Sequence, residues 1–166
     1  AVAMNGSAAI HDYEVSLVGA TSEDVGAVLH SGDFGFSEET GGGINRALQV
    51  AQSADIGFGE SVGRSIIDSD HPFADYSLLA TCAEKMIPCT VHVAIGTDII
   101  HQHPSMDGAV TGEMSYRDFR LLTAVVADLA GGVWLNFGSA VIMPEVFLKA
   151  LSIAQNLGHH VDNFTT

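Results

Sequence analysis

A short polar segment in the second half of the chain carries the side chains best suited to chemistry. Gly96-Thr97-Asp98 is followed closely by His101 and His103, and His92 lies a few residues upstream. Imidazole and carboxylate groups are ligands that zinc and iron accept. The spacing fixes no third ligand, so two interpretations stay open. One is a metal-dependent site that uses His101, His103 and Asp98, and the other, which we favour, is a polar ligand pocket built from Asp98 and one or both histidines.

A second group of polar residues lies near the start of the chain. Asn5-Gly6-Ser7 precedes a predicted helix that carries His11, Asp12 and Glu14. A Gly-containing turn at a helix N-terminus exposes backbone N–H donors, which suits a phosphate or a carboxylate. His11 lies one helical turn beyond Ser7 on the same face. The alternative is an ordinary helix that carries solvated acids and a surface histidine.

A third group follows the only tryptophan of the chain. It contains Asn136, Gly138, Ser139 and Glu145. An asparagine at the end of a buried strand needs a hydrogen-bond partner. The group therefore indicates either a ligand contact or a turn that allows close packing of a strand against a helix.

Each of these three groups follows a short apolar segment, and each precedes a predicted helix. The apolar segments predict strands over residues 1–4, 89–95 and 133–136. Short apolar strands that alternate with helices pack as a parallel sheet with helices on its faces. Ligands bind such sheets at the carboxyl ends of the strands. We therefore expect one α/β domain over residues 1–166, with its site at the three strand-to-helix junctions.

Helical spacing of apolar residues predicts the remaining elements. The predicted helices cover residues 8–18, 25–29, 37–54, 60–68, 74–86, 115–129 and 144–157. In the third of these, Gly41-Gly42-Gly43 costs about 1 kcal/mol per glycine, so either the helix begins at Ile44 or packing holds its first turn. Pro144 is expected at the first helical position. Residues 96–114 are predicted to be a long, functional loop.

The charge of the chain limits the classes of partner. Twenty acidic residues face six lysines and arginines, which gives a formal net charge of −14. This balance argues against nucleic acid or an anionic membrane as a partner, because phosphate groups bind clustered cations. It is compatible with a cationic ligand such as a polyamine, although the simpler interpretation, which we favour, is that the acids only maintain solubility.

The remaining composition indicates a cytoplasmic protein. Cys82 and Cys89 lack a C-x-x-C spacing and do not make a disulfide framework, which favours a reducing compartment. No apolar stretch approaches the roughly 20 residues of a membrane span, and no signal peptide is recognisable. Because the chain starts within a predicted strand and ends in the β-prone run 163–166, we expect it to be part of a longer protein.

The order of the three junctions resembles deoxyhypusine synthase and its bacterial relatives. Residues 4–12 (MNGSAAIHD) look like the Gly-rich turn and acid-bearing helix of that family. Residues 87–98 (IPCTVHVAIGTD) are similar to its strand ending in a Thr-Asp turn, and residues 131–140 (GGVWLNFGSA) to its strand before a glycine cluster. The resemblance covers most of the chain in the same order. The dinucleotide fingerprint G-x-G-x-x-G is absent from the sequence.

The resemblance implies a three-layer, mostly parallel Rossmann-like fold that binds NAD and assembles as a homo-oligomer, either a dimer or a tetramer. It also implies transfer of an aminobutyl group from a spermidine-like amine through a lysine imine, so the implied partners are a small-molecule amine or a nucleotide. The expected cofactor-binding residues are Asn5, Gly6, Ser7, Asp12, Gly96, Thr97, Asp98, Asn136, Gly138 and Ser139. The catalytic candidates are His11, Asp98 and His101.

The chain departs from the family in three respects. His11-Asp12 stands where the family has paired acids, and Gly6-Ser7 stands where it has a run of glycines. The family's catalytic lysine lies in a Trp-Gly-Lys context, whereas Lys85 and Lys149 lie on predicted helices in other contexts. No covalent nucleophile is therefore assigned, and a non-catalytic interaction domain that retains the fold stays an alternative.

Overall fold

Two neighbouring parallel strands form the centre of the structure, a computed structural model that describes residues 1–21 and 23–166. Strand β1 (Val2–Asn5) pairs with β2 (Cys89–His92), and Asn5 lies opposite His92. Both strands therefore end at the same edge. The parallel arrangement agrees with the prediction. The described residues form one two-stranded sheet, so the three-layer sheet stays a prediction.

Seven α-helices are described. Their bounds are α1 Gly6–Val18, α2 Val25–Val28, α3 Gly43–Ala51, α4 Phe58–Asp68, α5 Leu78–Glu84, α6 Gly108–Ala127 and α7 Ile142–Asn156. A π-helical turn, Glu38–Gly42, leads into α3, and 3₁₀ turns occupy Ala74–Tyr76 and Ile99–His101. None of these helices combines the length and the apolar content needed to cross a bilayer.

Several predicted boundaries are wrong for local physical reasons. The predicted helix 74–86 is divided, because Ser77 is extended and its side chain caps α5. Strand β2 ends at His92 rather than at residue 95, since the Thr97 amide turns back to the Ala94 carbonyl. Pro144 lies at the third position of α7, which begins two residues before it.

The predicted loop 96–114 is also partly wrong, because α6 begins at Gly108. The Asp107 side chain accepts hydrogen bonds from the amides of Ala109 and Val110 and so caps this helix. The buried side of α6 packs against β2. Tertiary packing therefore offsets the low helix propensity of Gly108 and Gly112.

Packing also explains the triple glycine. The Ser37 side chain caps the π-helical turn, so the helical region starts before Ile44. A Cβ on Gly41 would lie 3.0 Å from the His103 ring, and one on Gly43 would lie 2.2 Å from the Tyr13 hydroxyl. The glycines allow this turn to approach its neighbours.

Two apolar clusters hold the elements together. The larger one lies among both strands, α1, α3, α4, α5 and the start of α6. The smaller one joins α6 to α7 and includes Trp134, which stacks on Phe147 with ring centroids 4.2 Å apart. Only Val133 of the predicted strand 133–136 makes a β-bridge, to Thr165 in parallel orientation. That prediction is therefore wrong in extent.

Candidate functional site

The first two junctions meet at the carboxyl ends of β1 and β2. The Asp98 carboxylate lies against Gly6, where a Cβ would come 2.1 Å from its Oδ2 atom. Only a residue without a side chain admits the carboxylate at this distance. The turn after β1 and the turn after β2 thus form one site, which we call the junction site: Asn5, Gly6, Ser7, Gly96, Thr97, Asp98 and His101.

Helix α1 begins at the junction site because Asn5 caps it. The backbone of Asn5 is extended, and its Oδ1 accepts a hydrogen bond of 2.9 Å from the Ala8 amide. This bond satisfies one of the N-terminal amides that a helix leaves without partners. The positive end of the helix dipole favours a negative group here.

The acid at this site is half-buried. Burial raises the pKa of Asp98, while the nearby His101 and Thr97 lower it and offset part of that effect. The Thr97 hydroxyl lies 3.3 Å from Asp98 Oδ2. Asp98 can therefore accept hydrogen bonds from a ligand hydroxyl or amine.

His101 holds the turn that carries Asp98. Its Nδ1 accepts hydrogen bonds of 3.2 Å from the amides of Gly96 and Asp98. The neutral ring then carries its proton on Nε2, which is buried without a partner among the described residues. Burial lowers the pKa of His101, and Asp98 opposes the shift. These contacts make His101 a positioning residue for the Asp98 carboxylate.

The other polar residues of α1 have different surroundings. His11 is exposed, and its Nδ1 lies 3.5 Å from the buried Glu14. The Thr40 hydroxyl lies 3.4 Å from the other Glu14 oxygen. Asp12 lies at the start of α5, where it accepts hydrogen bonds from the Ser77 hydroxyl at 2.6 Å and the Leu78 amide at 2.7 Å. Asp12 thus has a structural role away from the junction site.

The histidines behind the metal hypothesis do not converge. His103 is buried, with Nδ1 2.7 Å from the Ser105 hydroxyl and Nε2 3.3 Å from Glu38. Across residues 1–21 and 23–166, no three His, Cys, Asp or Glu side chains come close enough to hold a metal ion. His92 is buried, bonds to the Thr90 hydroxyl at 2.9 Å, and has its pKa lowered to about 4 by burial. It is a core histidine.

The third junction is a turn bonded to itself. The Asn136 side chain donates to the Ser139 carbonyl at 2.8 Å, and the Ser139 hydroxyl accepts from the Met143 amide at 3.1 Å. Gly138 has a φ of 73°, a conformation that favours glycine. These bonds set the start of α7. At the surface of α7, Glu145 pairs with Lys149.

Asp118, the most buried acid of the described chain, is not among the candidate residues predicted from the sequence. Its Oδ2 accepts hydrogen bonds from the Gly59 amide at 2.9 Å and the Val91 amide at 2.7 Å, which ties the start of α4 to β2. Burial raises its pKa to about 7. The spacing of Asp118 at four residues from Met114 and from Leu122 would have placed it on the apolar face of α6.

Comparisons with known proteins identify no relative. No family model matches the chain, and no curated protein and no solved structure matches it either.

Proposed function

We propose that this chain is part of a deoxyhypusine synthase-like protein that binds NAD at the junction site and acts on a small amine. The observation that carries the proposal is the contact between Gly6 and Asp98 at the carboxyl ends of two parallel strands. Ligands of open α/β sheets bind at such edges. The resemblance in sequence supplies the choice of NAD among them.

The residues of the junction site suit the parts of a dinucleotide. The N-terminus of α1 offers a positive helix end for a phosphate. The Asp98 carboxylate offers an acceptor for ribose hydroxyls. NAD, when bound, would supply a hydride acceptor for oxidation of the amine. The exposed His11 and the buried Glu14 lie on the same helix and would face a cationic amine.

The proposal includes a larger sheet and an oligomer. Residues 131–134 run beside residues 163–165, where an isolated parallel bridge joins Val133 to Thr165 and the Trp134 amide donates to the Thr165 carbonyl at 2.8 Å. Ala3 of β1 packs against the same cluster as Trp134, which supports a Rossmann-like sheet that continues from β1 towards this pair. Val133, Leu135 and Phe137 are exposed there, and assembly of copies would remove these apolar side chains from water.

The catalytic step is not assigned to a lysine of this chain. Lys149 pairs with Glu145 at the surface of α7. Lys85 follows the last residue of α5 and is exposed. Neither belongs to the junction site.

Calorimetric titration of the 166-residue chain with NAD tests the proposal. The Gly6→Ala variant puts a methyl group where the Asp98 carboxylate lies, so the carboxylate must move aside. Asp98→Ala removes the acceptor itself. A hydrogen bond to a charged group contributes about 1.5–3 kcal/mol, so Asp98→Ala should weaken NAD binding roughly tenfold to a hundredfold.

Gly112→Ala is the matched control, because a Cβ at Gly112 meets nothing within 4 Å. We expect this variant to bind NAD like the parent chain. An absence of binding heat at millimolar NAD, with circular dichroism showing a folded chain, would refute the proposal. Equal binding by the parent chain, Gly6→Ala and Asp98→Ala would refute the junction site as its location.

A further inference from the structure

A groove between α6 and α7 lies apart from the junction site. Its volume is about 370 Å³, within the range of about 300–1,000 Å³ typical of small-molecule sites. Apolar groups make up most of its lining, among them Phe119, Ala124, Ile153 and Leu157. The polar residues of the lining are few: Tyr116, Arg120, Thr123 and His159.

Arg120 has an unusual electrostatic setting for this chain. The guanidinium groups of Arg46, Arg64 and Arg117 each pair with a glutamate. Arg120 takes part in none of the ion pairs within 4.0 Å that residues 1–21 and 23–166 form. The chain has twenty acidic residues, yet the described residues that line the groove include none.

We propose that this groove binds a free amphipathic monocarboxylate, an aliphatic or aromatic acid of small-molecule size. The carboxylate pairs with Arg120, whose planar guanidinium accepts a carboxylate in a bidentate arrangement. The apolar part of the ligand covers Phe119, Ile153 and Leu157 and is removed from water. His159 and Tyr116 supply N–H and O–H donors at the rim.

A single small acid suits the groove better than a second copy of the chain. The groove has a volume of about 370 Å³, which a small molecule can fill. A small monocarboxylate brings one negative charge to Arg120, the one arginine or lysine among the described residues that line the groove. The apolar lining then distinguishes it from small polar anions.

Titration of the ¹⁵N-labelled 166-residue chain with octanoate tests this proposal by amide chemical shifts. We expect saturable shifts confined to amides of α6, α7 and residues 157–159. Octanol, which lacks the charge, serves as the ligand control. The Arg120→Gln variant should bind octanoate at least about tenfold more weakly, because it loses a charge-assisted hydrogen bond.

Lys85→Gln is the matched control for the change in net charge, since Lys85 is also without a carboxylate partner in the described chain and lies outside the groove. It should bind octanoate like the parent chain. Ala124→Phe fills the groove from an exposed position of α6 and should abolish the shifts while the remaining spectrum stays that of a folded chain.

Three results would overturn the proposal. One is an absence of saturable shifts in the parent chain. Another is equal weakening by Arg120→Gln and Lys85→Gln. The third is broadening of the groove amides that depends on protein concentration and is not reversed by octanoate, which would assign the groove to contact between copies. None of them bears on NAD binding at the junction site.

Discussion

Replacement of Asp118 by asparagine should remove much of the dependence of folding stability on pH between pH 5 and pH 8. The Asp118 carboxylate is 1% exposed and accepts hydrogen bonds from the amides of Gly59 and Val91. Its Oδ1 has no hydrogen-bond partner among the described residues. A charge held there by backbone amides alone is only partly compensated for the loss of water.

The sign and size of the effect follow from the two pKa values. Burial raises the pKa of Asp118 in the folded chain to about 7 from an ordinary value of 3.8. Since the pKa of Asp118 is higher in the folded chain, the folded chain holds this proton more tightly than the unfolded chain does. The resulting contribution to the free energy of unfolding is complete below pH 3.8 and is lost as the pH rises from there through 7. At 1.36 kcal/mol per pKa unit, the full loss is about 4 kcal/mol, of which about 3 kcal/mol falls between pH 5 and pH 8.

Asparagine resembles the protonated carboxyl group in shape and does not titrate. Asp118→Asn keeps an acceptor oxygen for the Gly59 and Val91 amides. We therefore expect the free energies of unfolding of the parent chain and the variant to be similar at pH 5. The free energy of unfolding of the variant minus that of the parent chain should be about 3 kcal/mol larger at pH 8 than at pH 5.

Urea unfolding at several pH values, followed by the fluorescence of Trp134, measures this difference. Trp134 is the only tryptophan and stacks on Phe147, so its emission reports on the packing of α7. The exposed Asp55 provides the matched control, and Asp55→Asn should retain the pH dependence of the parent chain. A difference between the parent chain and Asp118→Asn that stays constant from pH 5 to pH 8 would refute the reasoning.

Three further substitutions test the local packing. Asp12→Ala removes the acceptor for the Ser77 hydroxyl and the first amides of α5, and should lower the free energy of unfolding by about 1–2 kcal/mol; an unchanged urea midpoint would contradict this role. Gly59→Ala puts a Cβ 2.2 Å from the Cys89 carbonyl oxygen, so thermal unfolding should show a loss of several °C or more. Gly112→Ala, at an open helical position, should instead raise the melting temperature, and equal effects of the two glycine substitutions would contradict the packing argument.

Two of the predicted helices agree with the structure to within two residues. The first predicted helix, 8–18, agrees with α1 apart from two residues at its start, because Asn5 caps it and Gly19 ends it in a left-handed conformation. The predicted helix 60–68 agrees with α4 to within two residues. Local signals suffice where the side chain that ends an element lies next to it in sequence.

Elements whose ends depend on distant residues could not be predicted in this way. Ser77 separates the 3₁₀ turn from α5, and it is held by Asp12, 65 residues earlier in the chain. Helix α6 extends through Gly108 and Gly112 because its buried side meets β2. Such contacts leave no local pattern in the sequence, so propensity alone predicts a loop or a continuous helix there.

The junction site shows the same division between local and distant causes. Asn5, Gly6 and Asp98 could each be selected from local sequence, since each belongs to a strand-to-helix turn. Their contact depends on the pairing of β1 with β2, which brings two turns more than 90 residues apart to one edge. Asp12, like Asp98, is an aspartate close to a strand-to-helix turn, yet it accepts a hydrogen bond from the Leu78 amide at the start of α5. Asp98 of the junction site therefore differs from the structural acid Asp12 in lying at the carboxyl ends of the two strands. Gly6→Ala perturbs the contact with Asp98 at that edge and so separates the two roles.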